Sequence, residues 1–358
     1  MSAASPRAAA RPFQARWREE KCAAFDLPRN STAGRTVELE LWGRRVEVYA
    51  NANLSIRSGQ ACNARCPFCV EALRPASRSA AAPRAPERPP ERDTARWFAA
   101  LEAALAALRP LDPSVSVTGG EPTLDPRLPR LLRTLAAAGA RKRTLTTNGT
   151  GLLTVREGRP LVDWLAATGV RHLNVSRALP GEEENARVMR PAAPLLPLPA
   201  LREAVARARA GGVRVRLSCV LLRGGVKDLE GILGYLAFAR ALGVDNVVFR
   251  QLMQTEAHGP GAGEVIRWSD AERVALEPIL EAVSADPRFA FQRQVVGYYY
   301  YVEVWRALGV DVVFEEADLA QLERTKRAMP GVVHELVFHP EARLASTWQP
   351  WDGAIGPE

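Results

Sequence analysis

The chain has 358 residues, 47% of them apolar and 25% charged, with a net charge of +8, a balance that predicts one large α/β globular domain with additions or two ordinary ones. No apolar run reaches the ~18–20 residues of a membrane span and no secretory h-region opens the chain, so no membrane contact and a reduced, cytoplasmic setting are expected. Only four of the basic residues are lysine (Lys21, Lys142, Lys227 and Lys326); the arginines are scattered among Asp and Glu rather than blocked, which argues against nucleic acid and for an anionic small-molecule substrate.

Residues 1–16 are Ala, Arg, Pro and Ser without periodicity, and the segment 1–34 is read as a disordered or extended tail. Glu38–Trp42 and Val46–Tyr49 alternate at period two across Gly43-Arg44-Arg45 and predict a β-hairpin. Leu54–Ile56 forms a strand leading into Cys62-Asn63-Ala64-Arg65-Cys66-Pro67-Phe68-Cys69, and the Pro/Ala/Ser/Arg-rich stretch 74–92 reads as a loop. Asp93 or Thr94 caps a helix through Leu108 with Trp97, Leu101, Leu105 and Leu108 on one face.

Strands and helices then alternate. Strands are predicted at Ser114–Thr118, Arg143–Thr147, His172–Ser176, Arg214–Leu221 and Asn246–Arg250. Helices lie between them near Pro126–Ala138, Leu161–Thr168, Leu201–Ala210 and Leu229–Leu242. With Leu54–Ile56 that makes six strands in parallel βαβ units. After residue 253 the pattern changes to a smaller α+β extension expected to cover the open side of the sheet. Its elements are a helix at Trp268–Val283, a strand at Gln294–Val304 containing Tyr298 to Tyr301, and a strand at Val310–Phe314. A helix at Asp318–Met329 and a hairpin of Val333–Phe338 with Arg343–Ser346 complete it.

Three thiols at C-x3-C-x2-C spacing, Cys62, Cys66 and Cys69, can converge on one metal centre from a single loop. Structural zinc wants four ligands, and no fourth Cys or His follows at useful spacing; a disulfide framework does not suit five cysteines in so large a chain. Zinc and inert thiols remain the rival readings of the spacing by itself. Thr118-Gly119-Gly120-Glu121-Pro122 ends the next strand, where paired glycines let the backbone approach a ligand closely.

Together the two motifs resemble the radical S-adenosylmethionine (SAM) superfamily. The resemblance implies a partial (β/α)6 TIM-like barrel over residues 35–253, a C-terminal cap over 254–358, and a [4Fe-4S] cluster on Cys62, Cys66 and Cys69. One iron is then left for S-adenosyl-L-methionine, whose ammonium goes to Gly119, Gly120, Glu121 and Pro122. By the same resemblance Phe68 and Val248 lie near the adenine, and Asn148 of Thr147-Asn148-Gly149 lines the pocket. Asn174 and Ser176 resemble contacts to the ribose and carboxylate, and Arg177 is placed to reach the carboxylate or the substrate. An electron donor such as flavodoxin or ferredoxin is implied as partner.

Arg250, emerging with Gln251 at the strand end, is a candidate substrate contact. Cys219 is a candidate hydrogen donor if its thiol points inward, and a small core hydrophobe otherwise. Trp348 and Trp351 are candidates to close the pocket. Cys22 has no assigned role. With no cysteine after Cys219, a single cluster is expected. The specific expectation is hydrogen abstraction from a sugar- or nucleoside-derived natural-product intermediate leading to decarboxylation, similar to cytosylglucuronate decarboxylases. A sugar epimerase using Cys219, a peptide-modifying enzyme and a non-catalytic barrel are the alternatives.

Overall fold

A computed structural model describes residues 35–59, 61–69, 93–253, 263–296, 299–317, 319–348 and 353–356. The readings made for the N-terminal tail, the 74–92 loop, Cys22, Tyr298 and Trp351 fall outside those residues.

The expected hairpin is strands β1 (Thr36–Leu41) and β2 (Arg44–Tyr49), turning at Trp42 and Gly43, both at positive φ. Strand β3 (Asn53–Arg57) leads to the cysteine loop. Helix α1 (Thr94–Ala107) starts where the Asp93 carboxylate accepts the backbone N–H of Ala95 and Arg96, and it buries Trp97, Phe98, Leu101 and Ala104. Then follow β4 (Ser114–Thr118), α2 (Leu128–Ala137), β5 (Arg143–Thr147) and a two-residue-armed hairpin of β6 (Val155–Arg156) and β7 (Arg159–Pro160). Next come α3 (Leu161–Ala167), β8 (His172–Ser176), α4 (Glu182–Met189), α5 (Leu198–Ala210) and β9 (Arg214–Val220). Helix α6 (Leu229–Ala241), capped by Asp228 on the Gly231 N–H, delivers the chain to β10 (Asn246–Arg250).

The six expected strands pair in parallel in the order β3-β4-β5-β8-β9-β10, the incomplete barrel implied by the resemblance. Each strand has two faces. One is apolar and fully buried: Leu54 and Ile56, Val115 and Val117, Leu173 and Val175, Val215 and Leu217. This face meets the helices, as the edge contact of Phe249 with Tyr235 on α6 shows at 5.5 Å between ring centroids. The other face, lining the concave side, is polar and partly open: Ser55, Ser116, Thr144, Thr146, His172, Asn174, Ser176, Arg216 and Ser218.

The last third departs from expectation in three places. The helix read as Trp268–Val283 is two helices, α7 (Gly263–Glu272) and α8 (Leu276–Ala285). Pro278 has no N–H and is tolerated only in a first turn, so the helix must restart just before it. Arg273 uses the break, bridging to Leu222 and donating to the carbonyls of Leu252 and Met253.

The strand read as Gln294–Val304 is likewise two antiparallel strands, β11 (Phe289–Val296) and β12 (Tyr300–Ala307); both halves of the run are rich in β-branched and aromatic residues, and Gly297 is the one break in the sequence between them. These two do not stand apart as a lid. Strand β12 pairs with β13 (Val310–Ala317), which lies parallel to β10 and so extends that edge of the sheet.

After α9 (Leu319–Ala328), β14 (Val332–Val333) joins β2, and β15 (Leu336–Phe338) pairs parallel with β3 at the opposite edge, finished by β16 (Leu344–Ala345). The C-terminal segment therefore supplies strands to both sides of the six-stranded unit.

Candidate active site

The cysteine loop crosses the C-terminal ends of the strands, where barrels gather function. It is tied down on three sides. The Arg65 N–H donates to the carbonyls of Met189 and Arg190 at the end of α4, and the Ala192 N–H donates to the Asn63 carbonyl. The Asn63 side chain accepts from Asn148 Nδ2 at 2.7 Å. At the root of the loop the Gly120 N–H meets the Gly59 carbonyl at 2.9 Å and the Glu121 N–H meets that of Ala61 at 2.8 Å. Gly119 sits at φ +127°, and a Cβ there would lie 2.6 Å from the Gly59 oxygen, so only glycine permits this approach.

The thiols of Cys66 and Cys69 are half-buried and that of Cys62 is exposed. Burial, then the proximity of Cys69 and Cys62, pushes the Cys66 thiol up to about 12. Bringing three thiolates onto one centre sets like charges against one another, and a cationic centre reverses that penalty. As they stand, no group of three or more metal-ligating side chains among the described residues is already gathered to hold an ion.

Glu121 is the most heavily bonded carboxylate here. It is 4% exposed. Its Oε1 accepts from the Thr123 N–H (3.0 Å), Thr123 Oγ1 (2.6 Å) and Thr147 Oγ1 (2.5 Å), and its Oε2 from the Asn148 N–H (2.7 Å). The side chain expected to meet the SAM ammonium is thus engaged by four protein donors and locks the end of β4 to that of β5. Asn148 is similarly employed: its Oδ1 accepts from the Thr150 N–H and hydroxyl while its Nδ2 holds the cysteine loop. Pro122 is buried at the start of a short 3-10 turn.

Asn174 and Ser176 share the concave face, as their spacing requires. Asn174 Nδ2 donates to Thr146 Oγ1 at 3.3 Å, and its Oδ1 is buried with no hydrogen-bond donor among the described residues. Phe68 packs 6.0 Å from Trp268 on α7, between ring centroids. Val248 is fully buried in mid-strand beside Ser218 and Val313.

Arg250 reaches Glu315 on β13 at 3.2 Å. Tyr299 and Tyr300 lie within electrostatic reach of Glu315, and burial pushes both phenols up. Tyr301 instead turns to the other face, donating to Glu303 at 2.9 Å. Trp348 donates its indole N–H to Glu335 at 3.0 Å.

Two candidates lie on the wrong face for the site. Arg177 follows Ser176 and so points to the helices, where its guanidinium stacks 5.2 Å from the Phe238 ring and donates to the Pro180 carbonyl. Cys219 shares the parity of Val215 and Leu217; it is 0% exposed and its thiol donates to the Ala178 carbonyl under α6. It does not line the barrel, which corrects its reading as a hydrogen donor. The concave-face residues that motif reading passed over are His172, Arg214 and Arg216. Their signal is the alternation Arg-Val-Arg-Leu-Ser-Cys-Val of β9, which sets Arg214, Arg216 and Ser218 against Val215, Leu217 and Cys219.

The profile of the radical SAM superfamily matches residues 56–235, half of the chain and the span from β3 into α6. The chain belongs to the radical SAM superfamily. Among curated relatives, a GTP 3',8-cyclase of Stenotrophomonas maltophilia is 34% identical over 176 residues, 46% of this chain and 44% of that protein. One from Paracoccus denitrificans is 34% identical over 125 residues, 34% and 33% of the two chains. The chain spans less than half the length of these relatives. Among solved structures, Streptococcus suis SuiB aligns at 14% identity and TM-score 0.48, covering 84% of this chain and 61% of that one; SuiB is also known bound to S-adenosylmethionine.

As a radical SAM enzyme the chain uses a [4Fe-4S] cluster and S-adenosyl-L-methionine, and its residues fit both. The three-thiol donor set suits a cluster with one iron left for a non-protein ligand. The Gly119 cradle and the undonated Asn174 oxygen suit a polar ligand at the strand ends. No helix among the described residues is long and apolar enough to cross a membrane.

Proposed function

We propose that this radical SAM enzyme takes hydrogen from an anionic sugar- or nucleoside-derived small molecule, with loss of an acidic group as carbon dioxide the outcome favoured for a sugar acid. The observation that carries the reading is the concave face itself. Barrel interiors are ordinarily packed with branched apolar side chains, whereas here Ser, Thr, Asn, His and Arg line it from β3 to β9 and stay partly open, with Val248 on β10 the buried apolar exception. Such a lining suits a small, hydroxyl-rich, negatively charged ligand. The curated relatives are named for chemistry on GTP, itself an anionic nucleoside derivative. The epimerase reading loses its donor with Cys219 on the helix side.

In this reading Cys62, Cys66 and Cys69 hold the cluster as thiolates, and the loop pinned by Asn63, Arg65 and the glycine pair keeps them at the strand ends. When bound, cluster and SAM would supply, on one-electron reduction, methionine and a 5′-deoxyadenosyl radical, which becomes 5′-deoxyadenosine on taking hydrogen from an unactivated C–H bond. The carbonyls of Gly119 and Gly120 would accept the SAM ammonium, while Glu121 acts behind them by fixing the backbone of Thr123 and Asn148. Asn174 offers its free oxygen to a hydroxyl. The flanking strands exclude bulk water from the reacting carbon. Flavodoxin or ferredoxin supplies the electron.

The test is anaerobic reconstitution, a chemical reductant, and deuterated candidates: a sugar acid, a nucleoside uronate, a nucleotide and a short peptide. Deuterium entering 5′-deoxyadenosine from one of the first three is the expected result. Label arriving from the peptide alone overturns the proposal.

A further inference from the structure

We propose that Arg216, halfway up the concave face, anchors an oxyanion of the substrate, a phosphoryl or carboxylate group, between strands β8, β9 and β10. The inference rests on the substrate reading above and names the residue that would select for it.

The sector from β5 to β13 carries five cationic side chains on or at its concave face: Lys142, Arg214, Arg216, Arg250 and Arg306. It carries two carboxylates, Asp311 and Glu315. Both acids are already engaged. Asp311 receives Arg214 on one oxygen and Arg306 on the other, and Glu315 receives Arg250. Arg216 makes no ion pair among the described residues, although Glu315 and Asp311 lie within electrostatic reach. Its Nε donates to Asn246 Oδ1, and its two terminal nitrogens have no hydrogen-bond partner among the described residues. The Asn246 bond fixes the plane of the guanidinium and leaves its fork open, the geometry that takes two oxygens of one anion.

The surroundings favour a guest with both charge and a hydroxyl. Asn174 faces Arg216 in register across the β8–β9 pair, and its Oδ1 is the buried acceptor that lacks a donor. A protonated phosphate oxygen or a neighbouring sugar hydroxyl would supply one. Ser218 stands next above Arg216 on the same face and His172 lies below on β8. Counting four residues from Arg216 to Val220, the anchor sits about 13 Å beneath the strand end. That span suits a ligand of nucleotide length, which would present carbon toward the cysteine loop.

The electrostatics agree. Burial, and then Arg250, bring Arg216 down to about 10, against the opposing pull of Glu315 and Asp311, both already paired with other arginines. Burial, then Lys142, Arg216, Arg214 and Arg171, bring His172 down to about 4. These are groups crowded by like charge, and an anion relieves them all at once.

The experiment uses reconstituted protein carrying ¹³C-labelled histidine, with the His172 signal assigned by H172Q. It is titrated with inorganic phosphate, pyrophosphate and acetate at constant ionic strength. Phosphate or acetate should raise the His172 pKa saturably, and R216Q should weaken that binding at least tenfold, with R216K in between. R216Q should also raise the His172 pKa with no anion added, a shift that mere unfolding would collapse onto the random-coil value. Response to phosphates alone assigns a phosphoryl group, and response to acetate alone assigns a carboxylate. No response of wild-type His172 to any of the three, or equal affinity in R216Q, overturns the inference. Failure of the wider substrate reading appears elsewhere, in the label test on 5′-deoxyadenosine, so the two can fall separately.

Discussion

Glu121→Gln keeps the size of the side chain and turns one carboxylate oxygen into an N–H donor. Four protein donors converge on that carboxylate, three on Oε1 and one on Oε2. The amide can point its oxygen at the group of three only by setting its NH₂ against the Asn148 N–H. One charge-assisted hydrogen bond to a buried acceptor, about 1.5–3 kcal/mol, is then lost. Two facing donors are left without acceptors for about 1–3 kcal/mol more. A total near 3–5 kcal/mol, at about 2 °C per kcal/mol in a chain of this size, lowers the melting temperature by roughly 6–10 °C. Calorimetry of the metal-free protein reads it directly. Because Asn148 also holds Asn63, iron and sulfide content after reconstitution should fall too. A Glu121→Gln protein that melts within about 2 °C of wild type and loads iron normally would refute the assignment of this carboxylate to the scaffold.

Gly119→Ala should be more damaging to loading than to folding: a Cβ 2.6 Å from the Gly59 oxygen pushes away the root of the cysteine loop, so iron content should drop by more than half in colorimetric assay. Cys219→Ala should cost about 1–2 kcal/mol by denaturant titration, the loss of a small buried group, and leave the pattern of hydrogen transfer unchanged. His172, held at about 4 when folded, accepts a proton near 6.5 when unfolded. Stability should therefore fall as the pH drops from about 6.5 toward 4, and His172→Gln should flatten that stretch of the curve. Cys66, held protonated to about 12 by burial and its neighbouring thiols, must release a proton on coordination, so cluster assembly should become more favourable as the pH rises from 6 to 8.5.

Much of this arrangement is legible from residue order. Period-two strands and period-3.6 helices place all six parallel strands, and the two motifs place the cysteine loop and the glycine pair. Parity within a strand also settles Cys219 and Arg177, since each stands an even number of residues from a buried Val or Leu on its own run. Reading that parity alone would have drawn attention to Arg216. The division of the 263–285 helix was signalled by Pro278, whose missing N–H belongs in a first turn. Other features were beyond local pattern. That β13 would lie on β10 and β15 on β3 depends on which distant edge offers free backbone groups, and neighbouring residues carry no record of that. The commitment of Glu121 to Thr123, Thr147 and Asn148 likewise exists only once two strand ends meet.

The pairing of β3 with β15 also bears on the order in which the molecule assembles. Leu54 lies beside Leu336 and Ile56 beside Phe338, so the strand that introduces the cysteines finds its outer neighbour only in a segment 282 residues further along the chain. Contacts of such long range carry a high closure entropy and form late. During synthesis the first strand therefore presents a raw backbone edge, open to pairing with other chains, while the thiols beside it are already in place. The interval in which the nascent chain is vulnerable lasts until β15 is made and seals that edge.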